Sequence, residues 1–255
     1  MIKTSSKVKI IAVMNQKGGV GKTTTVVNLT ACLAEAGMSV LALDVDPQAN
    51  TTSALGVKPR LTIYDVLTRG EKIADSITST VQKNLMLVPS DIRLAAAEVE
   101  LLQMEKREHV LANALADLVG FDYVFIDCPP ALGQLTVGAL TAAHSVLIPI
   151  QCEYFALEGV GQLMKTIQMI KKTTNPKLTV EGVVLTMLDG RTNLGLQVAE
   201  QVKKHFKGGV YASVIPRAVR LSEAPSHGLP INLYDTKSVG AAAYRALAAE
   251  FINRN

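Results

Sequence analysis

The chain has 255 residues, of which 48% are hydrophobic and only 4% are aromatic, and it contains no tryptophan. The length fits one large α/β domain over residues 1–255, and the aliphatic composition predicts the core of a buried parallel sheet. The net charge of +4 is uneven, because residues up to Cys128 carry −1 and those from Pro129 carry +5. This basic bias is compatible with an anionic polymer as partner.

The cysteines and the uncharged segments argue against a secreted or membrane-spanning protein. Cys32, Cys128 and Cys152 lie in apolar runs without a CxxC pair, which favours buried free thiols in a reducing, cytosolic compartment. The first ten residues carry three lysines and lead straight into an apolar strand, so we expect no secretory signal. The 25 residues from Cys128 to Cys152 hold no acid or base, but prolines and His144 divide them into a helix and a strand. We therefore expect no membrane span there.

Short apolar runs alternate with amphipathic segments along the whole chain. The predicted strands are Ile10–Met14, Val40–Asp44, Leu85–Val88, Tyr123–Asp127, Ser145–Ile150, Gly182–Leu188 and Val210–Val214. The predicted helices are Lys22–Ala36, Asp91–Glu105, Arg107–Val119, Gln134–Ala143, Leu157–Lys172, Asn193–Phe206 and Lys237–Asn253. This alternation predicts a mostly parallel sheet flanked by helices on both faces. Such sheets bind ligands at the carboxyl ends of their strands, so the candidate site lies in the loops that follow them.

The loop after the first predicted strand carries the most informative motif. Residues 15–25 read NQKGGVGKTTT; glycines let the loop amides point inward while Lys22 and Thr23 open a helix, which is how proteins cradle a polyphosphate. The usual pattern GxxxxGK[ST] needs a glycine where this chain has Gln16, and a second lysine, Lys17, lies inside the loop. A cation in a site that excludes water stabilises charge on the phosphoryl oxygens. If another subunit supplies that cation, the nucleotide becomes part of a dimer interface.

Acidic residues follow two further predicted strands. The segment LALDVDPQANTT places Asp44 and Asp46 beside the expected phosphate site, and FDYVFIDCPP ends its strand in Asp127. A carboxylate at the position of Asp127 can hold a magnesium ion through water while the Thr23 hydroxyl ligates the ion directly. The residues alone do not choose between Asp44 and Asp46 as the group that activates a water molecule.

Several segments together resemble the ParA/MinD family of deviant phosphate-loop (Walker A) ATPases, and in particular its chromosomal ParA, or Soj, branch. In chain order the matching segments are NQKGGVGKTTT, DVDPQAN, FIDCPPALG, IPIQCEYFALEG, LTMLDGRTNLG and VIPRAVRLSEAPSHGLPI. Six segments in one order, spread over nearly the whole chain, are more specific than any single motif. The resemblance implies a P-loop NTPase fold, ATP and Mg²⁺ as ligands, and an ATPase activity that is weak without a partner.

The resemblance also implies roles for individual residues. Lys22 would bind the β and γ phosphates, Thr23 the magnesium ion and Thr24 the α phosphate. Lys17 would cross a dimer interface to the nucleotide of the partner subunit, and Asp46 would position or activate the attacking water. Lys17, Lys22 and Asp46 would thus be catalytic. The remaining nucleotide contacts would come from Gly18, Gly19, Val20, Gly21, Met187, Pro216 and Arg217.

The implied partners are a second copy of the chain, DNA and a ParB-type centromere-binding protein. Arg191 and Arg220 match positions that carry nonspecific DNA binding in the Soj branch. An ATP-dependent homodimer doubles the phosphate contacts, which would make DNA binding depend on ATP. The ParB-type partner would stimulate hydrolysis and release. We therefore expect a cytoplasmic, nucleoid-associated protein without stable membrane association.

Three other functions are open at this point. A MinD-like membrane ATPase would end in a basic amphipathic helix, whereas AAAYRALAAEFINRN has a modest apolar stripe and two arginines. A redox ATPase resembling the nitrogenase iron protein would need two cysteines to hold an iron–sulfur cluster, and neither Cys128 nor Cys152 lies in a glycine-flanked loop. A metabolic ATP-dependent ligase would need an acceptor site, which is not recognisable in the chain.

Overall fold

A seven-stranded sheet forms the centre of the structure. The structure is a computed structural model, and it describes residues 8–153, 156–189, 193–206 and 208–255, of which 156–158 and 193–194 are described by their backbone alone. The strands of this described part are β1 (Lys9–Val13), β2 (Val40–Asp44), β3 (Thr78–Ser79), β4 (Leu85–Val88), β5 (Tyr123–Asp127), β6 (Ser145–Gln151) and β7 (Thr179–Thr186). Their order across the sheet is β3-β4-β2-β5-β1-β6-β7. All neighbours pair in parallel except β3 and β4, which are antiparallel.

Helices connect the strands and cover the sheet. Those of the described residues are α1 (Lys22–Glu35), α2 (Asn50–Ala54), α3 (Ile63–Arg69), α4 (Ile73–Ser76), α5 (Leu94–Glu100), α6 (Val110–Leu115), α7 (Gln134–Ala142), α8 (Ala156–Thr173), α9 (Asn193–His205), α10 (Val219–Glu223), α11 (Ile231–Tyr234) and α12 (Val239–Arg254). Short 3₁₀ segments lie at Leu101–Gln103, Arg107–His109 and Ala224–His227. The predicted fold class, a mostly parallel sheet with helices on both faces, is confirmed.

Two apolar cores lie on opposite faces of the sheet, because successive side chains of a strand point to opposite sides. In β1, Ile10 and Ala12 belong to the core that α3 and α5 to α9 cover. Ile11 and Val13 belong to the other core, which α1, α11 and α12 cover. The sheet is buried on both faces, which accounts for the near-continuous apolar runs in the strand sequences.

The carboxyl ends of the central strands meet at one edge of the sheet. β5 lies between β1 and β2, and its last residue, Asp127, is in register with Val13 of β1 and with Asp44 of β2. Parallel pairing thus brings the loops after β1, β2 and β5 together. These are the three loops in which the sequence carries the glycine-rich motif and the acids.

The predicted strand Val210–Val214 is wrong. Val210 forms only an isolated bridge with Val183, and a second bridge joins Leu188 to Pro216. Between the bridges, the amides of Ala212 and Ser213 donate to the Glu250 carboxylate of α12 instead of to a neighbouring strand. The segment therefore follows the edge of β7 without forming a ladder.

Two predicted helices also differ from those in the structure. The predicted helix Asp91–Glu105 is the shorter α5 followed by a 3₁₀ turn, and the predicted helix Arg107–Val119 contains a 3₁₀ turn and α6. The short elements from α2 to β3, and α10 and α11, were not predicted. Each has at most seven residues, which is too short for a hydrophobic period to be read.

The uncharged segment from Cys128 to Cys152 folds as predicted into a helix, α7, and a buried strand, β6. Across the described ranges, no helix combines the length and the apolar character that crossing a membrane requires.

Candidate nucleotide-binding site

The glycine-rich loop runs from the end of β1 to the start of α1. Gly19 and Gly21 have φ angles of 74° and 88°, in the left-handed region that favours glycine. The Asn15 side chain fixes the loop entrance, since its amide nitrogen donates to the Pro149 carbonyl at 2.8 Å and its oxygen accepts from the Lys17 amide at 3.0 Å. The loop is therefore held from β6 at one end and opens at the N-terminus of α1, where unpaired amides attract anions.

The two lysines of the loop have different environments. Lys22 is 7% exposed, and its Nζ donates to the Lys17 carbonyl inside the loop at 3.2 Å. Burial lowers the pKa of Lys22, against the opposing effect of the Asp127 and Asp46 carboxylates. The Lys17 side chain is more than a third exposed, and its Nζ lies 3.3 Å from the Glu153 carboxylate. Lys22 thus reaches into its own loop, whereas Lys17 reaches away from it.

Asp127 lies beside the first hydroxyl of α1. Its Oδ2 accepts hydrogen bonds from the hydroxyls of Thr23 and Thr51, each at 2.7 Å. Its Oδ1 is buried and has no hydrogen-bond partner among the described residues. Burial raises the pKa of Asp127, while the two threonine hydrogen bonds lower it. A buried carboxylate oxygen without a partner, next to a threonine hydroxyl, fits the water shell of a magnesium ion.

Asp44 and Asp46 differ in how their side chains are used. Asp44 is fully buried, and it accepts from the amide and hydroxyl of Thr52 at 2.8 and 2.7 Å and from the Asp46 amide at 3.3 Å. Burial, followed by the nearby Asp127 carboxylate, raises the pKa of Asp44. The Asp46 carboxylate accepts from the Gln48 amide at 2.9 Å, and its carbonyl accepts from the Ser90 hydroxyl. Both oxygens of Asp44 are thus engaged within the protein.

A cavity of about 260 Å³ opens beside the glycine-rich loop. Its walls include Gly21 and Thr24 on one side, and Met187, Pro216 and Arg217 on the other. Met187 comes directly after β7, has a left-handed backbone with φ 52°, and lines this cavity. Three of the residues that the resemblance implies as nucleotide contacts therefore line a cavity beside the loop that would hold the phosphates.

Arg217 and Arg220 lie on neighbouring segments but face different surroundings. Arg217 lines the cavity with a 65% exposed side chain, and its guanidinium is 3.7 Å from Glu153. Arg220 is also exposed and pairs with Glu223 at 2.9 Å and with Asp235 at 3.5 Å. Arg220 is therefore outside the cavity, and Arg191 lies outside the described residues.

Cysteine and histidine side chains offer no alternative metal centre in the described ranges, where no group of three His, Cys, Asp or Glu side chains is arranged to hold a metal ion. Cys128 and Cys152 are buried, and burial raises the pKa of both thiols, that of Cys152 to about 11. An iron–sulfur cluster held between two subunits needs cysteine sulfurs that reach the subunit surface, so two buried thiols do not favour the redox alternative.

The last helix packs against the body of the protein. Tyr244, Leu247 and Phe251 of α12 are buried in the same core as α1. The apolar stripe that a MinD-like function would place in a lipid interface is therefore covered by the protein itself.

Sequence reasoning did not identify Thr51, Thr186 or Asn15 as parts of the site. Thr186, at the end of β7, donates to the Val20 carbonyl at 2.8 Å and so fixes the middle of the loop from another strand. Thr51 lies at the edge of the DVDPQAN segment, but a hydroxyl in a polar stretch carries no periodic signal. Only the folded arrangement shows what these side chains contact.

Comparison with known proteins gives consistent matches. The sequence profile of the family described as "AAA domain" matches residues 8–180. The chain is 56% identical to the sporulation initiation inhibitor protein Soj of Bacillus subtilis, over 95% of this chain and 97% of that protein. It is 47% identical to the chromosome partitioning protein ParA of Caulobacter vibrioides, over 98% of this chain and 96% of that protein.

A solved structure shows the same fold. The structure of cobyrinic acid a,c-diamide synthase from Mycobacterium smegmatis, with bound ADP and magnesium, superposes with a TM-score of 0.83. The two sequences are 41% identical, and the match covers 95% of this chain and 93% of the synthase chain. With the loop geometry, the buried acids and two relatives near 50% identity, the chain belongs to the ParA/Soj family of chromosome-partitioning ATPases.

Proposed function

We propose that this chain is a single-domain, ATP-driven chromosome-partitioning protein whose nucleotide state controls its association with DNA. The observation that carries the proposal is the set of Lys22, Thr23 and Asp127 at the carboxyl edge of the sheet. In this set a buried lysine, a helix-opening hydroxyl and a carboxylate converge, and one oxygen of the carboxylate has no hydrogen-bond partner in the described part of the chain. These are the groups that a phosphate loop uses to hold a magnesium nucleotide.

The residues of one subunit suffice to bind ATP. The loop amides from Gly18 to Gly21 would surround the phosphates, Lys22 would exchange the Lys17 carbonyl for the β and γ phosphates, and Thr24 would contact the α phosphate. Adenine would enter the cavity lined by Met187, Pro216 and Arg217. Magnesium, when bound, neutralises phosphate charge, with Thr23 as its ligand and Asp127 holding it through water.

Hydrolysis would require a second copy of the chain. Asp46 would position or activate the attacking water, since it follows β2 beside the loop and is 7% exposed. Lys17 would leave Glu153, an exposed ion pair that contributes little stability, and contact the nucleotide of the other subunit. ATP would thus close a homodimer, and loss of the γ phosphate would weaken it.

The dimer would bind double-stranded DNA without sequence preference through Arg220 and Arg191. Arg220 is exposed on α10, whose next residues, Leu221 and Ser222, line the cavity proposed for adenine. The Arg220 ion pairs are exposed, so phosphate oxygens can replace their carboxylates. A ParB-type partner would stimulate hydrolysis and release the DNA, and the protein would be cytoplasmic and nucleoid-associated.

DNA retention in different nucleotide states tests this function. Purified protein is passed over immobilised duplex DNA without nucleotide, with ADP and with ATP, and its sedimentation with lipid vesicles is measured in parallel. We expect retention with ATP alone and no vesicle binding in any state. Equal retention in all three states would contradict the nucleotide control. ATP-dependent vesicle sedimentation without DNA retention would instead favour the MinD-like function.

A further inference from the structure

Thr51 occupies a position that neither the motif nor the family resemblance explains. It belongs to α2, it is fully buried, and its hydroxyl donates to Asp127 Oδ2 at 2.7 Å. The Thr23 hydroxyl donates to the same oxygen at the same distance. Two hydroxyl donors therefore converge on one oxygen, whereas Oδ1 of the same carboxylate has no partner among the described residues.

This asymmetry determines which way the carboxylate faces. The torsion that rotates a carboxylate about its last bond is broad, so packing alone fixes its orientation poorly. Each hydroxyl-to-carboxylate bond is a charge-assisted hydrogen bond, which is stronger and shorter than a neutral one. The Thr23 hydroxyl is the group proposed to ligate magnesium. Thr51, in contrast, lies in α2, and its hydroxyl has the carboxylate as its described hydrogen-bond partner.

We infer that Thr51 is a positioning residue for the magnesium nucleotide: its hydrogen bond to Oδ2 holds the Asp127 carboxylate beside the Thr23 hydroxyl, the group proposed to ligate the ion. This inference rests on the proposed binding of magnesium ATP at Thr23 and Asp127. Thr51 itself does not touch the nucleotide or the ion in this scheme. It acts through Asp127, and its loss should therefore change the magnesium dependence of binding more than the binding of metal-free nucleotide.

The neighbouring residue provides a matched comparison. Thr52 is also a buried threonine of α2, and its hydroxyl donates to Asp44, the carboxylate in register with Asp127 on the adjacent strand. Replacing Thr52 removes two buried hydrogen bonds, the one to Asp44 and one that the hydroxyl accepts from the Ser90 amide at 2.9 Å, without removing a donor from Asp127. It is therefore at least as severe a change to the same helix. Damage to α2 in general would affect both variants, whereas the proposed role belongs to Thr51.

The test is a magnesium titration of nucleotide binding at equilibrium, with a fluorescent ATP analogue, on the full chain and four variants: Thr51→Val, Thr51→Ser, Thr51→Ala and Thr52→Val. We expect Thr51→Val to raise the magnesium concentration at half-saturation by about tenfold, the effect of losing one hydrogen bond to a charged group. Thr51→Ser should stay within about twofold of the parent. Binding measured in EDTA should be the same for the parent and Thr51→Val.

The serine and alanine variants keep the test decisive if Thr51→Val does not fold. Both lack the threonine methyl group and differ from each other only in the hydroxyl. A lower magnesium concentration at half-saturation in Thr51→Ser than in Thr51→Ala therefore supports the inference. Equal magnesium dependence in these two variants would overturn it, as would a parallel loss of binding in EDTA. A parent protein that binds no ATP with magnesium would instead contradict the proposed function.

Discussion

The two lysines of the glycine-rich loop place their charges in different surroundings. Its ammonium group points away from its own loop and pairs with Glu153, whereas Lys22 is buried inside the loop. Lys22 is therefore placed inside its own loop, whereas Lys17 lies in an exposed ion pair that its proposed role in a neighbouring subunit would have to break.

Replacing Lys17 with alanine should separate nucleotide binding from dimerisation. We expect the variant to bind ATP within a few-fold of the parent but to remain monomeric with ATP in light-scattering measurements. Lys83→Ala is a suitable control, because this exposed lysine precedes β4 at the opposite edge of the sheet. Normal ATP-dependent dimerisation of Lys17→Ala would rule out a role for this lysine in the other subunit.

Asp127 makes the stability of the nucleotide-free protein depend on pH. Burial raises its pKa in the folded state above the value of about 3.9 in the unfolded chain. Between these two values the native state binds more protons than the unfolded state, so the contribution of Asp127 to stability falls as the pH rises through the window. The buried charge then costs stability at neutral and higher pH.

Asp127→Asn should remove this cost. The amide oxygen can accept from Thr23 and Thr51 as Oδ2 does, and the amide nitrogen replaces the oxygen that has no described partner. In urea unfolding without nucleotide or magnesium, we expect the free energy of unfolding of the variant, relative to the parent, to increase between pH 5 and pH 8. A difference that does not change with pH would show that the native and unfolded pKa values are alike.

At the scale of single elements, the sequence predicted where the extended segments lie better than which of them pair in the sheet. The runs that end in Asp44 and Asp127 are buried on both faces and read as strands because nothing polar interrupts them. The run at 210–214 is also apolar, but the amides of Ala212 and Ser213 donate to Glu250, which follows them by 38 and 37 residues along the chain. An apolar run therefore predicts an extended segment, whereas pairing in a ladder depends on distant residues.

The candidate site shows the same division. Lys22, Thr23 and Asp127 could be predicted because each follows a strand in a fixed order, and the structure brings the three together. Thr51 and Glu153 could not, because their importance arises from contacts with residues 76 and 136 positions away in the chain. The catalytic role of Asp46 stays a prediction that its burial does not test.

A close backbone contact joins α2 to the 3₁₀ segment after α10. Gly228 has φ +65°, and a β-carbon added there would lie 2.8 Å from the α-carbon of Gly56, which follows α2. Neither residue can carry a side chain without movement of the other segment. This contact fixes the loop that borders the second cavity, of about 290 Å³, which shares Thr24 with the cavity proposed for adenine.

Gly228→Ala should destabilise the protein by about 2 to 4 kcal/mol, from the left-handed backbone and the steric conflict together. Gly70→Ala is the matched control, since Gly70 has φ +75° and nothing within 4 Å of an added β-carbon. The control should lose only about 1 to 2 kcal/mol, the cost of the backbone conformation. Urea unfolding of both variants measures the difference, and equal losses would show that the contact between the two glycines adjusts without cost.

At the scale of the whole molecule, the proposed function would connect the nucleotide to DNA through charge. The C-terminal half carries the positive charge of the chain, and two arginines per subunit would give about four phosphate contacts per dimer, for a log–log salt slope near −3.6. A monomer would have half of these contacts. Dimerisation would therefore change both the affinity for DNA and its sensitivity to salt.

Replacing Arg191 and Arg220 together by alanine should abolish DNA retention with ATP and leave ATP-dependent dimerisation intact. A control that removes two exposed lysines, Lys72 and Lys83, loses the same charge and should retain DNA with nearly the parent slope. Retention is compared at matched salt between 50 and 200 mM, roughly the range in which phosphate contacts are resolved. Retention of the arginine variant at the parent level would place the DNA contacts elsewhere.

The consecutive threonines of α2 constrain the length of the chain before them. Neighbouring helix residues point about 100° apart, which lets Thr51 and Thr52 reach carboxylates on two adjacent strands, Asp127 and Asp44. One residue inserted or deleted between Asp46 and Thr51 would rotate both hydroxyls away at once. We therefore expect residues 47–50 to tolerate substitution of their side chains far better than the insertion or deletion of one residue. A change in length would remove both hydrogen bonds, whereas a substitution leaves them in place.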